Sequence, residues 1–267
     1  MVELQLEKVG INREDKIITI CSKNPIVAFS EEKIIEVSKK LALSEHRSLP
    51  VVNKKMQLVG IVSITDILNF LFSEGDMNSP IVSIMSREVV SCESNETIEF
   101  VLQKMKISKR GRLPVISSKR VVGVISETDF ILATKEFSSF ERFSIEDVMI
   151  KRPFFVLPSF SIREVARTMV NGKYRRLPVV ENGNLVGYIT STSLFKHLVN
   201  NSFSEDSLNQ KISEIMTGNP IVVLRSESLA NVLRIMKEKK ISSMLVVDEK
   251  NRLEGIFTER DYINLLV

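Results

Sequence analysis

Three segments of the chain place a hydroxyl residue three positions before an aspartate. They are the pairs Ser63 with Asp66, Ser126 with Asp129, and Thr258 with Asp261. A Ser or Thr followed three residues later by an acid is close to a capping box, which begins a helix and needs no ligand. The same geometry can also bind a ligand, because a helix N-terminus attracts phosphate and the hydroxyl adds a further donor. The carboxylate would repel that phosphate, so we expect it to accept hydrogen bonds from a sugar diol.

Basic residues precede a recurring Leu-Pro phrase, and they could bind an anion. They are Arg47, Arg110, Arg112, Arg175 and Arg176. A single arginine at such a place is typical of a solvated turn. Arg112 and Arg176, however, occupy the same position next to a predicted buried strand, and a guanidinium matches the geometry of a phosphate.

These groups belong to a repeat that must position them. Leu-Pro-Val recurs at Leu49, Leu113 and Leu177, 64 residues apart each time, and a weaker copy, Met-Leu-Val-Val, begins at Met244. A glycine follows each copy and opens the phrases GIVSITD, GVISETD, GYITSTS and GIFTERD. Self-similarity at a fixed period is the signature of repeated structural units.

Each repeat predicts the element order β-α-β-β-α. An amphipathic helix precedes each phrase, with apolar residues at i, i+3, i+4 and i+7, as at Ile98, Val101, Leu102 and Met105. The first helix has one polar intruder in its stripe, Ser38. Two short strands follow, and in the third repeat the turn Asn-Gly-Asn at 182–184 predicts a hairpin. A final helix, such as 261–267, closes the unit.

The predicted repeat bounds are 15–72, 80–135, 144–199 and 210–267. A unit of about 60 residues is marginal as an independent domain, so we expect each repeat to pair with another. The linker compositions leave open which repeats pair.

Composition argues against several other classes of protein. The chain has 267 residues, 43% of them hydrophobic and 26% charged, with a net charge of +4, as expected for a globular protein. Two cysteines and two histidines are too few for an expected zinc site or a His-based nucleophile. GxGxxG, GxxxxGK[ST] and HExxH do not occur. No apolar run approaches the roughly 20 residues of a membrane span. We therefore expect no catalytic residues, no metal and no membrane association, and a cytoplasmic location.

The repeats resemble cystathionine-β-synthase (CBS) domains in tandem. The resemblance rests on the apolar-x-x-apolar-Met openings at 145–149 and 212–216, the Leu-Pro-Val-Val phrase and the glycine-to-aspartate ending, and it covers about residues 15–267. It implies an α/β (α+β) fold of four β-α-β-β-α repeats packed as two pairs (Bateman modules). Such pairs often form a flat disc, as in the gamma subunit of AMP-activated protein kinase. The family's known role implies a sensor of adenine nucleotides that signals to a partner.

In this family the aspartate motif of one repeat and the basic pair of its partner hold one nucleotide. Carried over, the resemblance predicts a first site of Ser63, Thr65, Asp66, Val89, Val90, Arg110 and Arg112. The second site comprises Ser126, Thr128, Asp129, Pro25, Ile26 and Arg47. The fourth site comprises Thr258, Arg260, Asp261, Pro153, Phe154, Arg175 and Arg176. For Val90, Ile26 and Phe154 the alternative to a base contact is simple strand core.

A third site departs from the pattern in both components. Thr190 is followed by Ser193 where the acid belongs, and the partner repeat offers only Ser242 and Ser243 in place of the basic pair. We expect this site to be empty or weak.

An acid for a ribose diol, arginines for phosphate and an apolar slot for a base together favour a ribonucleotide. The resemblance ranks AMP, ADP and ATP first and S-adenosylmethionine below them, because a sulfonium gains little from Arg112 or Arg176. The alternative is a nucleic-acid-binding protein, given the pI of about 9.0. Against it, tryptophan is absent and tyrosine occurs three times, so stacking platforms are scarce.

The four repeats use up the chain, so a regulatory output requires either a separate effector protein or self-association, for example as a homodimer. A nucleotide can shift such an equilibrium only through different affinities for the two states.

Overall fold

The computed structural model describes residues 6–44 and 46–266. The predicted order β-α-β-β-α is present in the first, second and fourth repeats, whereas in the third the first strand is reduced to a single parallel bridge between Val156 and Val179. The α-helices are α1 (Ile34–Ser44), α2 (Ile64–Phe72), α3 (Ile98–Ser108), α4 (Glu127–Ala133), α5 (Ile162–Gly172), α6 (Ser191–Asn200), α7 (Glu205–Asn209), α8 (Leu229–Lys239) and α9 (Glu259–Leu265). The strands are β1 (Ser22–Lys23), β2 (Ala28–Phe29), β3 (Ser48–Val52), β4 (Leu58–Ser63), β5 (Cys92–Glu93), β6 (Arg112–Ser117), β7 (Arg120–Ser126), β8 (Ile150–Lys151), β9 (Arg176–Glu181), β10 (Asn184–Thr190), β11 (Thr217–Gly218), β12 (Val222–Leu224), β13 (Ser243–Val247) and β14 (Leu253–Thr258). Short 3-10 helices span Leu6–Val9, Ile17–Thr19, Ile81–Ser83, Ser138–Phe140, Ile145–Asp147 and Ile212–Glu214.

The fourth repeat shows how one unit is built. Strand β12 lies parallel to β13, and α8 supplies the crossover that a parallel pair requires. Strand β14 then returns antiparallel to β13 and leads directly into α9. The final helix begins at Glu259, two residues before the predicted start, because Thr258 caps it. Asp261 is therefore the third helical residue, and the predicted end at Val267 lies outside the described residues.

The predicted hairpin of the third repeat is confirmed. Strands β9 and β10 pair antiparallel and are joined by Asn182 and Gly183. Both residues have positive φ, 50° and 83°, as in a type I′ turn. That turn matches the twist of the flanking strands, and Asn and Gly tolerate positive φ best. The sequence specified this connection locally.

Contacts divide the chain into two compact units, each with its own hydrophobic core. Unit 1 comprises the described residues of Met1–Pro25, Val90–Pro153 and Ile221–Val267; unit 2 comprises those of Ile26–Val89 and Phe154–Pro220. Unit 1 thus holds the helices of the second and fourth repeats, and unit 2 those of the first and third. The predicted apolar stripes face these cores, α3 and α8 in unit 1 and α1 and α5 in unit 2.

Ser38, the polar intruder in the stripe of α1, is fully buried. Its hydroxyl donates to the carbonyl of Ile34 at 2.8 Å, which satisfies the hydroxyl without a partner from another element. A serine is therefore compatible with this core position.

The opening segment of each repeat adds an edge to the sheet of a different repeat. In unit 1, β1 of the first repeat pairs with β7 of the second, and β8 of the third pairs with β14 of the fourth. In unit 2, β11 of the fourth repeat pairs with β10 of the third, and Ser86 of the second forms a bridge with Ile61 of the first. This reciprocal exchange links the first repeat with the second and the third with the fourth, which the sequence left open.

The glycine that follows the Leu-Pro-Val phrase or its equivalent packs against the last residue of the opening segment that joins its sheet. A Cβ at Gly60 would lie 2.5 Å from Met85 Sδ, one at Gly255 would lie 2.2 Å from Met149 Sδ, and one at Gly123 would lie 2.7 Å from Cys21 Sγ. Cys21 thus occupies the place of the opening methionine in the first repeat. A glycine is required at this position because the side chain of the exchanged segment packs against its backbone.

Gly187 offers a direct test of this packing. An alanine Cβ there would lie 2.7 Å from the carbonyl oxygen of Thr217, whereas within the described structure nothing lies within 4 Å of a Cβ at its strand partner Gly218. We expect Gly187→Ala to lower the free energy of unfolding by about 2 kcal/mol, because backbone and Met216 must shift. Gly218→Ala, the matched control, should change it by less than about 0.5 kcal/mol. Urea unfolding measures both; equal midpoints for the two variants would contradict the close approach.

Candidate functional site

The three predicted aspartates occupy the same local geometry. Each lies at the third position of a helix, and its Oδ2 accepts the backbone N–H of the residue three positions earlier: 2.8 Å for Asp66, 2.6 Å for Asp129 and 2.8 Å for Asp261. Each Oδ2 also accepts the preceding hydroxyl, at 2.7, 2.6 and 2.7 Å. The capping boxes that the sequence predicts are therefore present in α2, α4 and α9.

This arrangement assigns the hydroxyl protons of Ser63, Ser126 and Thr258. Each hydroxyl donates to its own aspartate. In this structure the three hydroxyls therefore form the caps and do not have their protons available for a phosphate. Thr65 and Thr128 follow two residues after the capping serine. Among the described residues, neither hydroxyl is part of a capping bond. These two threonine hydroxyls are therefore available to hydrogen-bond with a ligand.

The second carboxylate oxygen of each aspartate faces away from the cap. Ser22 Oγ lies 3.5 Å from Asp129 Oδ1. Within residues 6–44 and 46–266, no hydrogen bond is made to the Oδ1 of Asp66 or Asp261. Ser22 belongs to β1, the exchanged strand, and the sequence analysis did not predict it; the only signal was its position directly after the first opening segment.

Burial raises the pKa of the carboxyls of Asp129 and Asp261. For Asp129 the hydrogen bonds from Ser126 and the charge of Arg112 act in the opposite direction but do not compensate. For Asp261 the hydrogen bonds from Thr258 lower the pKa, and the nearby carboxyls of Glu259 and Glu127 raise it further. A carboxylate that burial destabilises is stabilised by each additional donor, so both aspartates favour a ligand that donates hydrogen bonds.

Each basic segment, or the segment in its place, is joined to the final helix of its own repeat. The first amide of each of these helices donates to a carbonyl of the basic segment or its equivalent: Ile64 to Arg47, Glu127 to Gly111, Ser191 to Arg175 and Glu259 to Ser242, at 2.9–3.1 Å. Arg112 pairs with Ser126 across β6 and β7, and Arg176 with Thr190 across β9 and β10. The guanidinium of Arg176 lies 5.6 Å from the centre of the Tyr188 ring. Arg110 and Arg175 are exposed.

The predicted base contacts differ in burial. Ile26 is 44% exposed and Phe154 is 50% exposed, so strand core, the alternative interpretation, is wrong for both. Val90 does pack against the core of unit 1. Val89, Pro25 and Pro153 are half-buried.

An aromatic pair that the sequence did not predict lies beside the basic segment of the third repeat. The rings of Phe154 and Tyr174 stack at 5.4 Å with an interplanar angle of 13°. Tyr174, directly before Arg175, is 38% exposed, and its ring covers Gly172, where a Cβ would lie 2.1 Å away. The pair presents an aromatic face next to arginine, a surface suited to a base.

Arg260, which is predicted to belong to the fourth site, contacts the second repeat. Its Nε donates to the carboxylate of Glu127, and both Nη atoms lie 3.4 Å from the carbonyl oxygen of Lys109. These contacts lie within unit 1. The sequence did not indicate Glu127 or Lys109 as partners, because they come from a different repeat and lie more than 130 residues earlier.

The third motif lacks a carboxylate, as its sequence requires. Thr190 Oγ1 lies 2.8 Å from Ser193 Oγ and 3.0 Å from Thr192 Oγ1. Ser193 Oγ accepts from the Thr190 amide at 3.2 Å. Hydroxyls thus replace the acid in this cap, and the motif has no anionic acceptor for a diol.

The residues of each predicted site are divided between the two units. For the first site Asp66 belongs to unit 2 and Arg112 to unit 1; for the fourth, Asp261 belongs to unit 1 and Arg176 to unit 2. The crossed combinations therefore stay predictions. In the described part of the chain, no helix is long and apolar enough to span a membrane, and no group of three or more His, Cys, Asp or Glu residues could hold a metal ion.

Comparison with known proteins assigns each repeat to one family. The CBS domain model matches residues 17–73, 81–136, 145–200 and 212–267. The chain is 29% identical over 246 residues to the uncharacterized protein MJ1225 of Methanocaldococcus jannaschii, covering 82% of this chain and 87% of that protein. The crystal structure of MJ1225, described as a proposed archaeal homolog of g-AMPK, matches with a TM-score of 0.84 at 27% identity over 94% of this chain and 99% of that one.

Two further proteins are similar to this chain at lower identity or over a shorter length. A crystal structure from Pyrococcus horikoshii shares the fold with a TM-score of 0.62 at 24% identity, over 95% of this chain and all of that one. A homoserine O-acetyltransferase of Methanocorpusculum labreanum is 34% identical over 116 residues, which are 43% of this chain and only 22% of that enzyme. The likeness to this enzyme therefore spans a minor part of the enzyme's length.

Proposed function

The chain belongs to the CBS-domain family, and we propose that it is a regulatory protein that binds adenine nucleotides, AMP, ADP or ATP, and relays their level to a partner protein. One observation carries the proposal. Three aspartates have one carboxylate oxygen bound in a cap, in the same geometry, and the other oxygen takes no part in the cap. A carboxylate oriented in this way can accept hydrogen bonds from the two hydroxyls of a ribose.

The aspartates that burial destabilises support a sugar as the ligand at this position. Asp129 and Asp261 have raised pKa values because of burial, and a diol would donate to each without bringing negative charge close to the carboxylate. The phosphate then requires a different partner. The basic residues Arg47, Arg110, Arg112, Arg175 and Arg176 supply positive charge for it.

The exposed apolar residues support a base. Ile26 and Phe154 follow the half-buried prolines 25 and 153, and Phe154 stacks on Tyr174 beside Arg175. An adenine ring would bury apolar surface that is otherwise exposed to water. The description of MJ1225 as a proposed archaeal homolog of g-AMPK agrees with a nucleotide sensor of this kind.

The arginines favour a nucleotide over S-adenosylmethionine. The sulfonium of that ligand carries positive charge and would gain little from Arg112 or Arg176. In this proposal the three motifs with an aspartate bind nucleotide, and the third motif, with hydroxyls in place of the acid, is empty or weak.

The test begins with the ultraviolet spectrum of freshly purified, desalted protein. With no tryptophan and three tyrosines, the chain absorbs weakly at 280 nm, so a retained adenine nucleotide would dominate near 260 nm. Excess absorbance that resists nuclease and leaves on denaturation supports the proposal, whereas excess that nuclease removes favours nucleic-acid binding. Calorimetric titration with AMP, ATP and S-adenosylmethionine follows. We expect AMP or ATP to bind with a Kd below about 1 mM; no binding of either to ligand-free protein overturns the proposal.

A further inference from the structure

One arginine joins the aspartate motifs of two repeats. Arg260 occupies the second position of α9, where the second repeat has Thr128 in α4. It lies next to Asp261, and its Nε donates to the carboxylate of Glu127, the first residue of α4. Glu127 lies directly between Ser126, which caps α4, and Thr128. A side chain of the fourth repeat therefore reaches the Asp129 motif of the second.

The same guanidinium also reaches the basic segment of the second repeat. Both Nη atoms lie 3.4 Å from the carbonyl oxygen of Lys109. Lys109 directly follows α3 as its C-cap, in a left-handed conformation with φ 55°, and precedes Arg110. The amide of Glu127 donates to the Gly111 carbonyl at 3.0 Å, so Glu127 and the 109–112 segment are themselves joined. Arg260 thus holds the start of α4 and the end of α3 together.

Burial makes this connection resistant to rearrangement. The Glu127 side chain is 1% exposed and that of Arg260 is 32% exposed. Separating a buried carboxylate from its cationic partner is strongly unfavourable, because the carboxylate has lost its hydration. The start of α9 and the start of α4 therefore cannot move independently while the ion pair persists.

A second buried link lies two residues further along α9. The hydroxyl of Tyr262 hydrogen-bonds to Thr134 at the end of α4, and Lys237 of α8 donates to the Thr134 carbonyl. Tyr262 is fully buried, and Thr134 also donates to the Phe130 carbonyl at 2.9 Å. The first half of α9 therefore contacts α4 at both ends of α4, through Arg260 at Glu127 and through Tyr262 at Thr134.

We infer that Arg260 is a positioning residue that couples nucleotide binding at the Asp261 motif to nucleotide binding at the Asp129 motif. The inference rests on the proposed function. A nucleotide held by Asp261 fixes the start of α9, and Arg260 transmits that constraint through Glu127 to the start of α4. The start of α4 is then already restrained when the second nucleotide binds at the Asp129 motif, so the coupling is positive. By linkage, each nucleotide raises the affinity for the other by the same factor.

The experiment measures that factor with AMP as the probe. Calorimetric titrations use the full chain carrying Asp66→Ala. The AMP-binding events that remain then occur at the motifs of Asp129 and Asp261. Removing one site by Asp261→Ala is expected to weaken AMP binding at the Asp129 motif at least 5-fold, the lower end of typical coupling. Asp129→Ala must weaken binding at the Asp261 motif by the same factor. In proteins that also carry Arg260→Met, both factors should fall below 2-fold.

Two additional variants distinguish a loss of coupling from a folding defect. Glu127→Gln keeps the size of the buried side chain and removes its charge, and it should also reduce the coupling below 2-fold. Arg234→Met removes the exposed Arg234–Glu141 pair of the same unit, with its 3.0 Å contact, and should leave the coupling at 5-fold or more. Thermal unfolding confirms that each variant is folded before titration.

The outcomes separate this inference from the proposed function. AMP binding with coupling that disappears in Arg260→Met and Glu127→Gln supports the inference. AMP binding without coupling, or coupling that persists in both variants, overturns it and leaves the proposed function intact. Absence of AMP and ATP binding to the unaltered chain overturns both.

Discussion

Asp261→Asn is expected to weaken AMP binding at its site about 100-fold. The asparagine keeps the shape of the side chain but loses the charge that accepts hydrogen bonds from two ribose hydroxyls. Two bonds to a charged group contribute about 3 kcal/mol together, and each 1.4 kcal/mol corresponds to about a factor of ten. Calorimetric titration should show the loss of one binding event, both with AMP and with adenosine, because both ligands carry the diol.

The control for Asp261→Asn is a capping box outside the predicted sites. Ser161 and Glu164 begin α5 with the same reciprocal geometry, and Glu164 Oε2 accepts the Ser161 amide and hydroxyl at 2.7 Å. These hydrogen bonds lower the pKa of Glu164, which is exposed. Glu164→Gln therefore weakens a cap in the same way and should leave AMP affinity unchanged. If the Asp261→Asn protein binds AMP at this site within 3-fold of the original affinity, Asp261 is not part of the nucleotide site.

Arg176→Met is expected to weaken AMP binding about 30-fold and adenosine binding less than 2-fold. The guanidinium makes a charge-assisted, bidentate hydrogen bond to phosphate, which contributes about 2 kcal/mol to the free energy of binding. Adenosine lacks the phosphate, so it should not respond to the change. Titration with the two ligands in parallel measures the difference directly.

The control for Arg176→Met must also account for the loss of its ring contact. Arg176 lies over Tyr188 at 5.6 Å, and Arg167, in the same unit, lies over Phe72 at 5.3 Å. Arg167→Met therefore removes a similar cation–π contact at a position outside the predicted sites, and AMP affinity should not change. If Arg176→Met weakens AMP and adenosine equally, the arginine acts on the fold and not on the phosphate.

The two variants together distinguish the two halves of the ligand. Asp261→Asn should affect every ligand with a ribose diol, whereas Arg176→Met should affect only ligands with a phosphate. A nucleic acid would show a different pattern, since its internal riboses or deoxyriboses lack a free diol and its binding falls steeply with salt. The same titrations at two salt concentrations therefore also test the alternative function.

Local patterns allowed much of the fold to be predicted. The i, i+3, i+4, i+7 spacing placed α3, α5 and α8 with their buried faces, because a helix with one apolar face has only one stable orientation on a core. The Asn-Gly turn at 182–183 specified its hairpin, since few residues accept positive φ at both central positions. The three capping boxes followed from the spacing of a hydroxyl and an acid. Each of these features depends on residues less than about ten positions apart.

Features that join distant segments could not be predicted in the same way. The sequence indicated a methionine at the end of two opening segments, but nothing in it says that Met149 packs on Gly255 or that Cys21 takes the same place on Gly123. The exposure of Ile26 and Phe154 was equally open, because an apolar residue beside a strand can lie on either face. Such contacts depend on which sheet edge an opening segment joins.

The sequence by itself determined that the chain contains four similar units, which of them carry an aspartate and which a basic pair, and that the third lacks the acid. These properties are local, so a single repeat specifies them. Only the tertiary structure decided that opening segments are exchanged between the first and second and between the third and fourth repeats. It also showed that the second and fourth repeats share one core and the first and third the other. Arg260 shows the reason: its partner Glu127 is 133 residues away, and a contact over that separation arises only once two folded repeats bury their helices together.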